Sequence, residues 1–256
     1  MQFGYKTGPD IVSAGLFMAI LLTYRVSGSH LNWGVTFGVA IVEKAFSDKD
    51  KLKAFFAYLL GQTAGSYLGV VIIELLNDES VHMVPQDIGY SLFYVLLIEF
   101  TFCWIFLTIY LHAKSDWVAP SQDFGLRAFT MMIVCYACTA MSQNISGGPL
   151  NPNIALASMT VHAITHSGEQ NNLIFLISYI TAPILSGVLA GAFLRHFAIK
   201  VTPATPAHSS PFLGQKMRKA VNDSTMSPMG SMRKELTPEE QSALRQTSRF
   251  TELEQR

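Results

Sequence analysis

The sequence predicts an all-α membrane protein in which five transmembrane helices and two half-helices form an inverted repeat. Three observations support this fold class. Half of the 256 residues are apolar and only 14% are charged, lysine and arginine are distributed unevenly between the apolar segments, and two short segments resemble each other. Soluble domains carry roughly a quarter charged residues. Because acidic and basic residues balance at 18 each, the composition gives no reason to expect a nucleic-acid partner.

Five segments are apolar and long enough for a membrane helix, which needs about 20 mainly apolar residues. Steps of the form G-x-x-x-G at Gly61, Gly65 and Gly69, and again at Gly187 and Gly191, favour close helix packing in lipid. We therefore expect an integral membrane protein surrounded by membrane lipids. The predicted spans are residues 11–26, 52–76, 88–112, 126–141 and 173–199.

Lysine and arginine between these spans fall almost entirely on one side of the predicted membrane. The other side receives only Lys6. This asymmetry satisfies the positive-inside rule, places the C-terminus inside and the N-terminus outside, and requires an odd number of spans. The residues on the basic side are Lys44, Lys49, Lys51, Lys53, Lys114, Arg127, Arg195 and Lys200.

Two short polar segments form the repeat. Ser-Gly-Ser-His-Leu-Asn-Trp-Gly at 27–34 shares Ser, Gly, Leu and Asn with Ser-Gly-Gly-Pro-Leu-Asn-Pro-Asn at 146–153, which lies 119 positions later. Each segment follows a span and precedes an apolar stretch, 35–42 or 154–164, that is too short to cross. Asn is a favourable N-cap, and Pro152 then occupies the first helical position. This pattern indicates two half-helices that enter from opposite sides and meet near the midplane.

These segments resemble the two Asn-Pro-Ala loops of the aquaporin, or major intrinsic protein, family. Gly61-Gln62 with Gly65 is similar to the family's third-helix signature, and Glu99 resembles the fourth-helix glutamate that braces the second loop. The resemblance covers residues 11–199 and implies an aquaporin-like fold with a central pore. The pore-loop residues that it implies are Asn32, Trp33, Gly34, Asn151, Pro152 and Asn153.

The chain also departs from the family pattern. The counterpart of the span at 88–112 would lie before residue 1, so the first of the family's six helices is expected to be missing. The first loop lacks the family's Pro and Ala, and the second has Asn153 for Ala and Ile154 for the filter arginine. The filter-equivalent positions are Val12, Thr139, Gly148 and Ile154, and this uncharged ring does not support a water-selective filter.

Two functions follow from these departures. The leading hypothesis is a degenerate, non-conducting pore that serves as an accessory or structural subunit of a larger membrane complex. In it, Trp33 blocks the pore centre and another subunit fills the flank left by the missing helix. Under this hypothesis, a respiratory complex of the mitochondrial inner membrane is one possible host. The alternative is a channel for water or small neutral solutes such as glycerol, completed by oligomerisation.

The remaining reactive residues do not indicate catalysis, a metal or a cofactor. The sequence offers no recognisable nucleophile triad, phosphate loop or carboxylate pair, so we expect no enzyme. Cys103, Cys135 and Cys138 lie in apolar runs and are expected to be buried as small hydrophobes. His162 and His166 have the i, i+4 spacing of metal ligands, but no third ligand is near them in the sequence.

The last 56 residues are a polar appendix to the membrane domain at 1–200. Residues 201–235 are rich in Pro, Ser and Thr and predict an extended linker. A capping pattern at Thr237 and Glu240 predicts a C-terminal amphipathic helix over 236–256. We expect its narrow apolar face to contact another subunit. That face carries Ala243, Phe250 and Leu253.

Overall fold

The structure, a computed structural model, describes residues 8–77, 83–87, 89–166 and 173–199. The predicted linker at 201–235 and C-terminal helix at 236–256 lie outside the described residues. The described part is helical, and short turns flank α2 and α7. The helices are α1 (Pro9–Ser27), α2 (Trp33–Val42), α3 (Lys49–Asn77), α4 (Leu92–Lys114), α5 (Phe124–Ser146), α6 (Pro152–Thr165) and α7 (Leu176–Phe193), which a π-helical turn (Leu194–Ala198) continues.

Five described helical segments are long and apolar enough to cross a membrane, which confirms the predicted number. They are α1, α3, α4, α5 and α7 with its flanking turns. The prediction ends the fourth span at residue 141, whereas α5 continues to Ser146. Its last turn is polar but still helical, and the helix stops only where Gly147 adopts a left-handed φ of 88°. Glycine ends helices in this way because it has no Cβ to oppose that conformation.

The main core packs α4 between α5 and α7, with α1 against α5 and α2 against α7. Two serines of α7 bind α4 directly. Ser178 Oγ donates to the Leu92 carbonyl at 3.0 Å and Ser186 Oγ donates to the Phe100 carbonyl at 2.9 Å. Such side-chain bonds satisfy serine hydroxyls inside an otherwise apolar bundle.

The glycine steps on α7 allow its close contact with α2. Gly187 and Gly191 lie against the backbone of Gly34 and Gly38. A Cβ at Gly38 would lie 2.6 Å from Leu111 Cδ1 and 3.0 Å from the Gly187 carbonyl oxygen. The two helices therefore approach at a distance that only glycine permits, as small-residue ridges do in membranes.

The glycine steps on α3 have a different environment. This helix packs against α6 and α2. It meets α1 at the end of that helix, where the Tyr58 hydroxyl donates to the Ser27 carbonyl at 2.6 Å. A Cβ built at Gly61, Gly65 or Gly69 meets no heavy atom within 4 Å. The structure therefore leaves an open groove between α1 and α3, which we call the α1/α3 groove.

Candidate pore site

The two loops of the repeat have the same backbone conformation. Gly28 and Gly147 end α1 and α5 in the left-handed region, and each donates its N–H to the carbonyl four residues earlier. Leu31 and Leu150 also have positive φ, 53° and 46°. A left-handed leucine is strained, and such strain is kept where surrounding contacts enforce it. Since both pairs are 119 positions apart, the repeat extends from sequence to backbone geometry.

The strained leucines direct their carbonyl groups across the repeat. Asn32 Nδ2 donates to the Leu150 carbonyl and Asn151 Nδ2 donates to the Leu31 carbonyl, both at 2.9 Å. Each loop asparagine therefore holds the opposite loop. This reciprocal pair brings the first turns of α2 and α6 together, as the predicted half-helices require.

Only one of the two asparagines caps its helix through its side chain. Asn32 Oδ1 accepts from the Gly34 N–H at 2.7 Å. Asn151 occupies the N-cap position of α6, as predicted, but its side chain makes no capping hydrogen bond. The Asn151 amide is instead oriented by its bond to Leu31, and its Oδ1 is buried with no partner among the described residues. Pro152 begins α6 as predicted.

Asn153 contributes a link that the sequence did not indicate. It is only 3% exposed, its Oδ1 accepts from the Trp33 N–H at 3.3 Å, and its Nδ2 donates to Ser66 Oγ at 2.7 Å. Trp33 is the first residue of α2, where backbone N–H groups have no partner within the helix. A side chain of α6 therefore caps α2 and connects both half-helices to α3.

Glu99 lies where the bracing prediction needs it. Its side chain is fully buried, accepting from Ser146 Oγ at 2.5 Å and from the Leu150 N–H at 3.3 Å. Tyr179 donates to the carbonyl of the same Ser146. The second loop is thus held by polar groups of α4 and α7 in a region where an unpaired carboxyl would be costly.

A cavity of about 920 Å³ runs beside the two loops and opens into the α1/α3 groove. Its polar lining includes Asn32, Asn151, Asn153 and Thr139. Along α1 it extends from Ile11 to Ser27, a helix rise of about 24 Å against a hydrocarbon core of about 30 Å. The cavity therefore extends along almost the whole length of α1.

Three of the four filter-equivalent positions line this cavity. Val12, Thr139 and Ile154 line it, whereas Gly148 does not and its neighbours Pro149 and Leu150 do. Trp33, Gly34 and Pro152 are also outside its lining. Trp33 is half-buried, with its Nε1 unpartnered among the described residues. This placement gives no support to blockage by the indole.

Gln62 is a lining residue whose contacts the sequence did not predict. Its Nε2 donates to Thr36 Oγ1 at 2.9 Å, and that hydroxyl also contacts His30 Nδ1 at 3.3 Å. The His30 ring stacks on Tyr58 with centroids 4.3 Å apart. An amide in an apolar span was the available signal, because polar groups there usually have a partner inside the bundle.

The other candidate residues lie apart from the cavity or line it without forming a site. Cys103, Cys135 and Cys138 are free and buried, as predicted. The rings of His162 and His166 stack at 5.0 Å, and Glu74 lies 3.4 Å from His166 Nδ1. Within the part of the chain that the structure describes, no group of three His, Cys, Asp or Glu side chains is placed to hold a metal ion.

Comparison with known proteins finds one family model and a similar solved structure. The family model described as Major intrinsic protein matches residues 11–122. The X-ray structure of the aquaglyceroporin from Plasmodium falciparum has a similar fold, with a TM-score of 0.65 and 17% identity, over 78% of this chain and 86% of that one. No curated protein matches the chain in sequence. Residues 11–122 therefore match the major intrinsic protein family, and the described helices have the fold of an aquaglyceroporin.

Proposed function

We propose that the chain forms a transmembrane channel for small uncharged solutes of the size and polarity of water or glycerol. The observation that carries the proposal is the cavity itself, because it follows almost the whole length of the membrane-spanning helix α1 and has both loop asparagines in its wall. The match of residues 11–122 to the major intrinsic protein family model supports the same function. We propose no enzymatic activity.

The lining favours uncharged solutes with several hydrogen-bonding groups. Asn32, Asn151, Asn153 and Thr139 give the cavity wall polar side chains beside its apolar ones. At the filter-equivalent end, Val12 and Ile154 offer apolar contact and no charge. The carbon side of a polyol suits such a surface, whereas an ion would lose its hydration without replacement.

Volume changes of proteoliposomes test the proposal. An osmotic shift with an impermeant osmolyte measures water flux, and gradients of glycerol or urea measure the entry of those solutes. We expect a solute flux above that of empty liposomes, and we expect Ile154→Trp to lower it because Ile154 lines the cavity. Ile164→Trp is the matched control on α6, since Ile164 is 77% exposed and outside the lining. Wild-type flux equal to that of empty liposomes, measured with every native partner present, would contradict channel function.

The accessory subunit remains a second candidate because the cavity opens sideways into the α1/α3 groove. A channel needs a closed wall, and the described helices leave this one incomplete. In this alternative the fold serves as a structural component of a larger complex, and a respiratory complex of the mitochondrial inner membrane is one host to test. Co-purification with such a complex, without flux in its presence, would favour it.

A further inference from the structure

We infer that Tyr110 and Lys114 of α4 are positioning residues for the first pore loop, so that this one helix holds both loops of the repeat. Glu99, on the same helix, braces the second loop. Tyr110 and Lys114 act on Asn32 through the backbone of residues 28–31. Their effect on solute flux rests on the proposed channel function, whereas their effect on the loop can be tested without it.

Two side chains of α4 donate to consecutive carbonyl groups of the first loop. Tyr110 Oη donates to the Ser29 carbonyl at 2.7 Å, and Lys114 Nζ donates to the Gly28 carbonyl. Tyr110 and Ser29 are each only 1% exposed, so water has little access to replace their bond. The Lys114 ammonium also lies 5.1 Å from the centre of the Tyr24 ring, a cation–π contact with α1. The loop is therefore tied to α4 at the point where it leaves α1.

The first loop needs such a brace because one of its left-handed residues is not glycine. Gly28 and Ser29 have φ of 69° and 50°, and their counterparts 119 positions later are both glycine, with φ of 88° at Gly147 and 62° at Gly148. The Cβ of Ser29 opposes this conformation, whereas glycine adopts it freely. Strain of this kind persists where surrounding contacts enforce it, and the Tyr110 hydroxyl provides one at the carbonyl of the strained residue.

The braced segment leads directly into the bonds that join the two loops. Leu31, two residues after Ser29, accepts from Asn151 Nδ2 through its carbonyl, and the next residue, Asn32, donates to the Leu150 carbonyl. A rotation of the backbone at Ser29 would therefore displace both inter-loop bonds. Because Leu31 and Asn32 also line the cavity, the conformation at Ser29 affects the shape and polarity of the cavity wall.

The three bracing residues lie on one side of α4. Tyr110 follows Glu99 by eleven positions, close to three full turns of 3.6 residues, and Lys114 follows about one turn later. The first two are thus separated by roughly 17 Å along the helix axis. The two braces differ in polarity, since Glu99 accepts from a backbone N–H whereas Tyr110 and Lys114 donate to carbonyl groups. One continuous helix thereby sets the spacing between the loops.

Hydrogen–deuterium exchange of the full chain in detergent micelles tests the brace without requiring flux. The reporter amides are the N–H groups of Gly34 and Thr36, which donate to the side chain and the backbone carbonyl of Asn32. Tyr110→Phe removes only the hydroxyl donor. We expect the reporter amides to exchange about fivefold faster in this variant, as for the loss of one hydrogen bond. The Ala155 N–H at the start of α6 should keep its wild-type rate, because the second loop retains its own brace.

Two further variants make the result specific to the first loop. Tyr94→Phe is the matched control on α4, because Tyr94 is 39% exposed and its ring contacts Tyr90; it should leave all these rates unchanged. Lys114→Met removes the second donor and should accelerate the reporter amides. Wild-type rates in both Tyr110→Phe and Lys114→Met would overturn the inference. Equal acceleration at Ala155 would also overturn it, since general destabilisation would then account for the change.

Substitution of Ser29 separates positioning of the loop from a loss of stability. Ser29→Gly removes the Cβ that opposes the left-handed backbone, so in that background Tyr110→Phe should change the reporter rates by less than about twofold. Ser29→Ala is the matched control, because it removes the same hydroxyl contacts with Ile20 and Thr23 but keeps the Cβ. In the alanine background the full effect of Tyr110→Phe should remain. Equal effects in the two backgrounds would overturn the inference.

Glycerol entry into proteoliposomes tests the consequence for the cavity. At equal amounts of folded protein, Tyr110→Phe should lower the flux and Ser29→Gly should restore it, while Tyr94→Phe should match the wild type. No flux from the wild type would contradict the proposed channel, and the exchange rates would still decide whether the brace exists. Unchanged flux in a conducting Tyr110→Phe variant whose reporter amides exchange faster would overturn the positioning role.

Discussion

Two departures from the family pattern are expected to compensate each other, and this can be measured. The family has Pro and Ala where this chain has Trp33 and Asn153. Proline has no N–H and alanine has no acceptor, whereas here the Trp33 N–H donates to Asn153 Oδ1 at 3.3 Å. The chain therefore adds a donor and its acceptor together. Replacing only one of them should leave the other unpaired inside the protein.

The expected magnitudes follow from these contacts. Asn153→Ala removes the acceptor from Trp33 and the bond to Ser66 Oγ. An orphaned buried N–H costs about 1–3 kcal/mol, and the length of this bond favours the lower half of that range. Ser66 lines the cavity and can bind water instead. Once Trp33→Pro has removed the N–H, Asn153→Ala should cost ~1–2 kcal/mol less than it does in the wild type.

Unfolding in detergent micelles, by denaturant or heat, measures this coupling. The cycle compares the wild type, Trp33→Pro, Asn153→Ala and the double variant. Trp33→Pro suits the backbone because residue 33 is the first of α2 and Asn32 is extended, with φ −155° and ψ 132°. Trp33→Ala is the matched control, since it removes the indole and keeps the N–H. Its coupling to Asn153→Ala should stay below about 0.5 kcal/mol. Additive effects in the proline cycle, or equal coupling in both cycles, would refute the reasoning.

Three further predictions concern the brace, the helix contact and the topology. Glu99→Leu should lower the free energy of unfolding by about 1–3 kcal/mol, because the Leu150 N–H loses its acceptor and the Ser146 hydroxyl keeps only the Ser142 carbonyl at 3.2 Å. Glu99→Gln should cost less in the same assay, and equal costs would contradict the brace. Gly187→Leu should prevent stable folding, because the leucine side chain would collide with the Gly34 backbone. The assay is loss of the monodisperse species in detergent, and a stable variant would exclude that close contact. Single cysteines at Asp48 and Asp87, both exposed, should be labelled by an impermeant reagent from opposite sides, and labelling from one side would contradict five spans.

Periodic and repeated features were predictable from the sequence because they depend on few residues each. Five apolar runs determined the number of spans, and the motif at 27–34 and 146–153 located both half-helices. The helix ends extended beyond the apolar runs, as in α5, whose polar last turn continues to Ser146. Hydropathy cannot locate such ends, because hydrogen bonding and the next glycine decide them.

Side-chain partners within the pore site could not be predicted in the same way. The pattern identified Asn32 and Asn151 but not that each would bond to a left-handed leucine of the other loop. The family's alanine would also not fit at Gly34, where a Cβ would lie 2.8 Å from the Pro183 carbonyl oxygen. That restriction comes from how closely α7 approaches α2, and no local pattern encodes it.

The two sets of glycine steps show why a sequence pattern alone does not identify an interface. On α7, Gly187 and Gly191 contact a helix of the same chain, and on α3, Gly61 and Gly65 face open space. Both sets have the same spacing and the same capacity for close packing. What differs is whether the chain supplies the facing helix: α2 lies against α7, whereas no described helix lies between α1 and α3. The repeated spacing therefore indicates a capacity for close helix packing, and only the positions of the other helices show where that capacity is used.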